Sequence, residues 1–215
     1  MRCPSLHFVL QFAPVVALVF GFSASSHAQL IANGSFESPT SGATQNLAGA
    51  FSLGAWSGFG PSSGGNAGLV VGTDNGLAPF SGSQHLTLNG GNPSDRGWVE
   101  QSFSTVSGSS YLVEFAIGRA GGGQALSLTA AVTGSAVLAS GSFSPGASVG
   151  YTVASFWFVA DSSSAVLRFT DTSGGNSISD LYLDAVAVSA VPEPAAVGAV
   201  MGMACGAAAW RRRRA

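Results

Sequence analysis

Between Gln29 and Ala190 the apolar positions recur at every second residue in short runs. Tyr111, Val113, Phe115 and Ile117 alternate with Leu112, Glu114 and Ala116, and Leu126 and Leu128 alternate with Ser127 and Thr129. A period of two places the two sets of side chains on opposite faces of a pleated strand. Phe156-Trp157-Phe158-Val159 and Val166-Leu167-Arg168-Phe169 are shorter β-prone runs. Clusters of Gly, Ser, Asn and Asp separate these segments, as turns require. The pattern predicts strands near 30–36, 52–58, 67–72, 84–89, 98–104, 110–117, 125–133, 136–143, 150–160, 165–170 and 181–189, and no amphipathic helix among them. So many short strands predict an all-β fold, an antiparallel β-sandwich of the jelly-roll kind. No repeat of fixed period runs through the chain, which disfavours a solenoid or propeller.

The two ends break this pattern. Arg2 precedes a mostly apolar stretch from Phe8 to Phe22, and Ser26-His27-Ala28 offers small residues where a signal peptidase cuts. Residues 1–28 read as a signal peptide, with cleavage after Ala28. The other reading, a retained N-terminal anchor, is opposed by Pro14 and by the polar residues from Ser23. At the far end, Pro192-Glu193-Pro194 is followed by an uncharged run from Ala195 to Trp210 and by Arg211, Arg212, Arg213 and Arg214. As a transmembrane helix the run would be roughly 24 Å long, slightly short of a hydrocarbon core. Gly198, Gly202 and Gly206 leave one helix face smooth, which suits an intramembrane partner and equally follows from a tail rich in Gly and Ala. The arginines form a basic stop that stays on the cytoplasmic side. Signal and tail therefore demand one topology, with residues 29–190 outside.

Charge sharpens the division. The 215 residues carry 8 basic and 10 acidic groups, but five of the basic ones lie in the ends. The domain keeps Arg96, Arg119 and Arg168 against nine carboxylates, a net charge of −6, and lysine is absent. Such a surface has no basic stripe for phosphates, so nucleic acid is excluded as a partner. Cys3 and Cys205 both fall in the ends, leaving an exported domain with no disulfide. Pro192 and Pro194 mark the boundary, since proline fixes φ and supplies no strand donor.

The order Pro-Glu-Pro, apolar helix, arginine cluster in Val191 to Ala215 resembles the PEP-CTERM sorting signal of exported bacterial proteins. The resemblance implies an exosortase, a membrane-embedded enzyme that recognises Pro192-Glu193-Pro194 and removes the tail, leaving the protein at the cell surface or in an extracellular matrix rich in exopolysaccharide. The inner membrane is then a transient station.

The domain opens with Asn33-Gly34-Ser35-Phe36-Glu37 and closes with Leu183-Asp184-Ala185-Val186-Ala187-Val188. With Gly54-Ala55-Trp56-Ser57, Gly82-Ser83-Gln84-His85-Leu86 and Val99-Glu100-Gln101-Ser102-Phe103, these segments resemble galactose-binding-like jelly rolls, carbohydrate-binding modules among them. The resemblance implies a structural calcium near the first and last strands, held by Glu37 and Asp184. Asp184 alternates with Tyr182, Val186 and Val188, so it is expected on a partly apolar face, where a carboxylate needs a cation or N–H donors. The second reading is that Asp184 accepts backbone N–H groups or faces solvent. No cofactor is otherwise required.

A sugar-binding surface would offer an exposed aromatic ring. Trp56 and Trp157 are expected in the core, Trp157 because Phe156 and Phe158 flank it, and Tyr111 is also available. Trp98, beside Asp95 and Arg96, is the ring expected at the surface and the candidate ligand-binding residue. The loops Asn89-Gly90-Gly91-Asn92 and Asp171 to Asn176 are explained by turn chemistry, and Gly118 with Gly121-Gly122-Gly123 lacks a phosphate-loop setting. His85 is the domain's one histidine, and no nucleophile elbow, metal motif or close carboxylate pair appears. The sequence thus predicts a non-enzymatic surface or matrix component, structural or adhesive. The alternatives are a dedicated carbohydrate-binding module and, behind it, a glycoside hydrolase.

Overall fold

The computed structural model describes residues 29–61, 67–88, 96–122, 124–174 and 179–192. The signal peptide, Glu193-Pro194, the apolar tail and the arginine cluster lie outside the described residues. No helix among the described residues is long and apolar enough to cross a membrane.

Twelve strands form among the described residues: β1 (Gln45–Leu47), β2 (Gly49–Leu53), β3 (Trp56–Gly60), β4 (Ala67–Val71), β5 (Gln84–Thr87), β6 (Trp98–Ser104), β7 (Ser110–Gly121), β8 (Leu128–Thr133), β9 (Val137–Phe143), β10 (Gly150–Val159), β11 (Ser164–Asp171) and β12 (Ser179–Ala190). They pair into two six-stranded sheets, β1-β4-β5-β12-β7-β10 (the first sheet) and β2-β3-β6-β11-β8-β9 (the second). All the strand pairings among the described residues are antiparallel. The expected all-β antiparallel sandwich is what the described residues form.

The core lies between the sheets and follows the period-two pattern. Val113, Phe115 and Ile117 of β7 and Leu181 and Leu183 of β12 face Val99, Leu128, Leu167 and Phe169 from the other sheet. Phe115 meets Phe169 edge-on, with ring centroids 4.9 Å apart. Each fully buried side chain of this size contributes about 1.5–3 kcal/mol of transfer free energy. With no disulfide, this core carries the fold.

Two expected strands differ. Residues 52–58 form a hairpin rather than one strand, because Gly54 takes a positive φ of 64° and turns the chain so that Leu53 pairs with Trp56. Residues 30–36 form no strand. Asn33 (φ 53°) and Phe36 (φ 57°) break the extended backbone, and Phe36 N–H donates to Asn33 O at 3.1 Å. The segment still runs against β12, with Leu30 N–H on Val188 O and Val186 N–H on Gly34 O. Its Asn-Gly pair is explained there: a Cβ on Gly34 would lie 1.9 Å from Val186 O.

The last strand carries a bulge. Its pairing with β7 shifts between Asp184 and Ala187, and Ala185 has φ 48°. The extra residue reverses which side chains point inward. Val186 and Val188 therefore join Leu181 and Leu183 in the core, while Asp184 stays with Tyr182 on the outer face. The expectation that Asp184 shares a face with Val186 and Val188 is corrected by that one residue.

Candidate functional site

The outer face of the first sheet is built in two halves. Over one half folds the segment 72–83. Phe80 and Ser81 donate N–H groups to one Asp184 carboxylate oxygen at 2.9 and 3.0 Å, and Ala185 N–H donates to the other at 2.6 Å. Phe80 meets Tyr151 edge-on at 5.4 Å, and the Tyr182 hydroxyl donates to Asp74. Beneath these groups His85 stacks on Tyr182 at 4.4 Å, its Nδ1 2.6 Å from the Tyr151 hydroxyl. Gly118 makes room for that tyrosine, since a Cβ there would fall 2.6 Å from its ring.

The electrostatics follow from burial. His85 has its pKa lowered to about 4, burial outweighing the pull of Asp74. Asp184 is pushed up to about 6, again by burial, with three N–H bonds opposing the rise and the Glu37 charge adding to it. Burial also raises Tyr151 and Tyr182 well above the ordinary phenol range. Glu37 goes the other way. Burial works against its ionisation, but the Ser83 hydroxyl and the Gln84 and Ser83 N–H groups outweigh it and hold the pKa low. This half of the face is a folded-down patch whose carboxylates are met by N–H and hydroxyl donors, with His85 Nε2 left buried without a partner among the described residues.

The other half is open. In the register of β10 on β7, Trp157 lies opposite Leu112, Ser155 opposite Glu114, and Val153 opposite Ala116. β12 continues the rows, with Ser189 opposite Leu112 and Ala187 opposite Glu114. Cross-strand partners share a face. Trp157, 57% exposed, thus stands beside Leu112 and Ser189 of its own row, with the exposed Glu114 and Ser155 and with Ala187 one row away. Val153, 60% exposed, continues the apolar rim. At the far edge of the same sheet a cavity of about 240 Å³ is lined by Thr44, Gln45, Asn46, Gly68 and Thr87 among others.

The predicted site residues sort as follows. Trp56 is buried, as expected, and its indole N–H donates to Asn33 O at 2.9 Å. Trp157 is not in the core: Phe156 and Phe158 point inward, so the ring between them points out. Trp98 is half-buried on the outer face of the second sheet, with the Arg168 guanidinium 3.9 Å from its ring centre and Glu100 3.5 Å from Arg168. One face of that indole is already occupied. Glu37 and Asp184 are brought to one segment, 80–84, and each meets N–H donors of that segment. No group of three or more His, Cys, Asp or Glu that could hold a metal occurs among the described residues. Of the sorting motif only Pro192 is described.

Sequence reasoning missed Trp157 and Glu114. The usable signal was the alternation Tyr151, Val153, Ser155, Trp157, which a polar residue interrupts, against Ala154, Phe156, Phe158. Their juxtaposition depends on the β7–β10 register, which no local pattern encodes.

No family model and no curated protein sequence matches the chain. Solved structures do match its fold. The chain is similar to TmCBM61, a carbohydrate-binding module in complex with β-1,4-galactotriose, at a TM-score of 0.53 and 11% identity, covering 76% of this chain and 99% of that one. It is also similar to part of the arabinose-bound α-L-arabinofuranosidase MgGH51, at a TM-score of 0.50 and 14% identity, covering 76% of this chain. The chain spans only 26% of that enzyme's length. At these identities the likeness shows a shared β-sandwich fold.

Proposed function

We propose that this chain is an exported, non-catalytic carbohydrate-binding protein whose ligand lies on the outer face of the first sheet, against Trp157. The observation that carries the reading is that exposed indole, set beside Leu112 and Ser189 with Glu114 and Ser155 in the next row. A pyranose ring has an apolar C–H face that an indole covers, and edge hydroxyls that a carboxylate and a serine can hold. An open apolar platform with a few converging polar groups is the general form of a ligand site. The whole-length likeness of the fold to a carbohydrate-binding module supports the reading. The tail motif adds a destination, with signal peptidase and an exosortase as processing partners and the exopolysaccharide matrix as setting. A structural or adhesive matrix component is then what such binding would produce.

Affinity electrophoresis through gels containing soluble glycans tests the reading. Retardation by at least one glycan is expected, lost in Trp157→Ala and kept in Trp98→Ala, with the unfolding midpoint of Trp157→Ala unchanged. Loss in Trp98→Ala alone would move the site to the second sheet. A parent protein that no glycan retards would overturn the reading.

A further inference from the structure

Glu114 is an exposed carboxylate that makes no ion pair among the described residues. It sits diagonally from Trp157 across the β7–β10 pair. Such diagonal neighbours have Cβ atoms about 7–8 Å apart, within reach of one bound residue. Among the described residues the same face offers no cation to a ligand. Lysine is absent from the chain, and each arginine of the domain is engaged elsewhere. Arg96 donates to the carbonyls of Asp171 and Ser173 at 3.2 and 3.1 Å. Arg119 is buried and donates to those of Gly146 and Gly122 at 2.9 and 2.8 Å. Arg168 lies over Trp98 on the other sheet.

From this geometry we infer that the Trp157–Glu114 platform selects glycans carrying free amines, polymers of deacetylated amino sugars, over neutral and anionic ones. The inference rests on the carbohydrate reading and names its ligand class. An ammonium on a sugar stacked against Trp157 brings a full positive charge to both the Glu114 carboxylate and the electron-rich indole face, where a hydroxyl or acetamido N–H offers the carboxylate only a neutral donor. A uronate on that sugar would meet Glu114 instead, with no counter-charge on the face and a domain net charge of −6 behind it. Repulsion and attraction both act, which is how selectivity is usually built.

The test measures binding of the purified full chain to glucosamine oligomers, their fully N-acetylated counterparts, alginate oligomers and poly-lysine, by calorimetry at low and high salt. Glucosamine oligomers are expected to bind up to about fivefold tighter than the acetylated ones, the upper range of an exposed ion pair. The preference should shrink with salt. Glu114→Gln should remove most of it, leaving only what the indole face contributes, with the unfolding midpoint unchanged. Trp157→Ala should remove binding to both. Equal binding of the acetylated oligomers, or tighter binding of alginate, overturns the amine preference but leaves the carbohydrate reading standing. Binding to no oligomer overturns the amine preference, and the carbohydrate reading falls with it only if no glycan retards the parent protein in affinity electrophoresis. Poly-lysine bound as tightly as the amino sugar reduces the face to plain charge attraction and also overturns the inference.

Discussion

His85 Nδ1 and the Tyr151 hydroxyl lie 2.6 Å apart, while His85 Nε2 is buried without a partner among the described residues. A bare ring nitrogen can be buried at less cost than an unpaired N–H. The favoured tautomer therefore carries its proton on Nδ1, donating to the tyrosine oxygen. Burial, which penalises the charged ring, depresses its pKa, and protonation would also force a second N–H into an unpartnered position.

The pH dependence of stability follows from His85 and Asp184 together. The folded pKa of His85 is about 4 against an ordinary 6.5, so the unfolded chain takes up the proton first, and this contribution is lost as pH falls from 6.5 through 4. Asp184 is raised to about 6 from 3.8, so its native form takes up the proton first and stability grows as pH falls over much the same window. The two slopes oppose each other between pH 6 and 4. Relative to the parent, His85→Gln should gain stability on acidification across that window and Asp184→Asn should lose it. Urea midpoints from pH 4 to 7 check this, and two variants that track the parent's slope would refute it.

Gly34 and Val186 make a second, steric prediction. A Cβ on Gly34 would penetrate to 1.9 Å from a backbone oxygen, and a backbone atom in a strand cannot step aside. Gly34→Ala should cost at least about 2 kcal/mol in a urea titration. Gly42→Ala, where nothing lies within 4 Å of the added methyl, should stay within about 0.5 kcal/mol of the parent. Equal effects at the two positions would remove the claim that the opening motif is shaped by its contact with the last strand.

How far the chain could be read divides along physical lines. Period-two runs such as Tyr111 to Ile117 announce themselves, because each residue's face is set by its neighbours, and the sandwich followed from them. Asp184 was placed with the wrong partners because a bulge is a one-residue event that alternation cannot register. Trp157 was misplaced because Phe-Trp-Phe-Val is apolar on both faces, while the second sheet covers only the inner one, the face of Phe156 and Phe158. Glu114 became legible as a site residue only through strand register. The Trp56 prediction succeeded because that indole closes over the turn at Asn33, beside Phe36 at 5.4 Å, within the segments that carry the motif.

The sorting reading makes its own prediction, independent of the fold. Intact-mass spectrometry of the protein recovered from the medium or cell surface of its native host should show loss of residues 1–28 and of everything beyond the Pro192-Glu193-Pro194 region. Replacing Pro192 and Glu193 together with alanine should leave the tail attached and the protein in the inner membrane. A secreted parent form that still ends in Arg211 to Ala215 would sink it.

The proposed calcium at Glu37 and Asp184 has the most specific chemical test. One Glu37 oxygen accepts the N–H groups of Ser83 and Gln84, both at 2.9 Å, and the other accepts the Ser83 hydroxyl at 2.7 Å. Asp184 is engaged in the same way by Phe80, Ser81 and Ala185. Calcium needs six to eight oxygen ligands, and here the positive ends of five N–H dipoles already point at the carboxylates. These N–H bonds offset the lost hydration at Glu37 and part of it at Asp184, whose pKa burial still raises. A chelator is therefore expected to leave the thermal midpoint unchanged. Glu37→Ala and Asp184→Ala should each destabilise by about 1–3 kcal/mol through the donors they strand, with or without chelator. A midpoint that falls with chelator, recovers with calcium and loses this response in both variants would restore the cation.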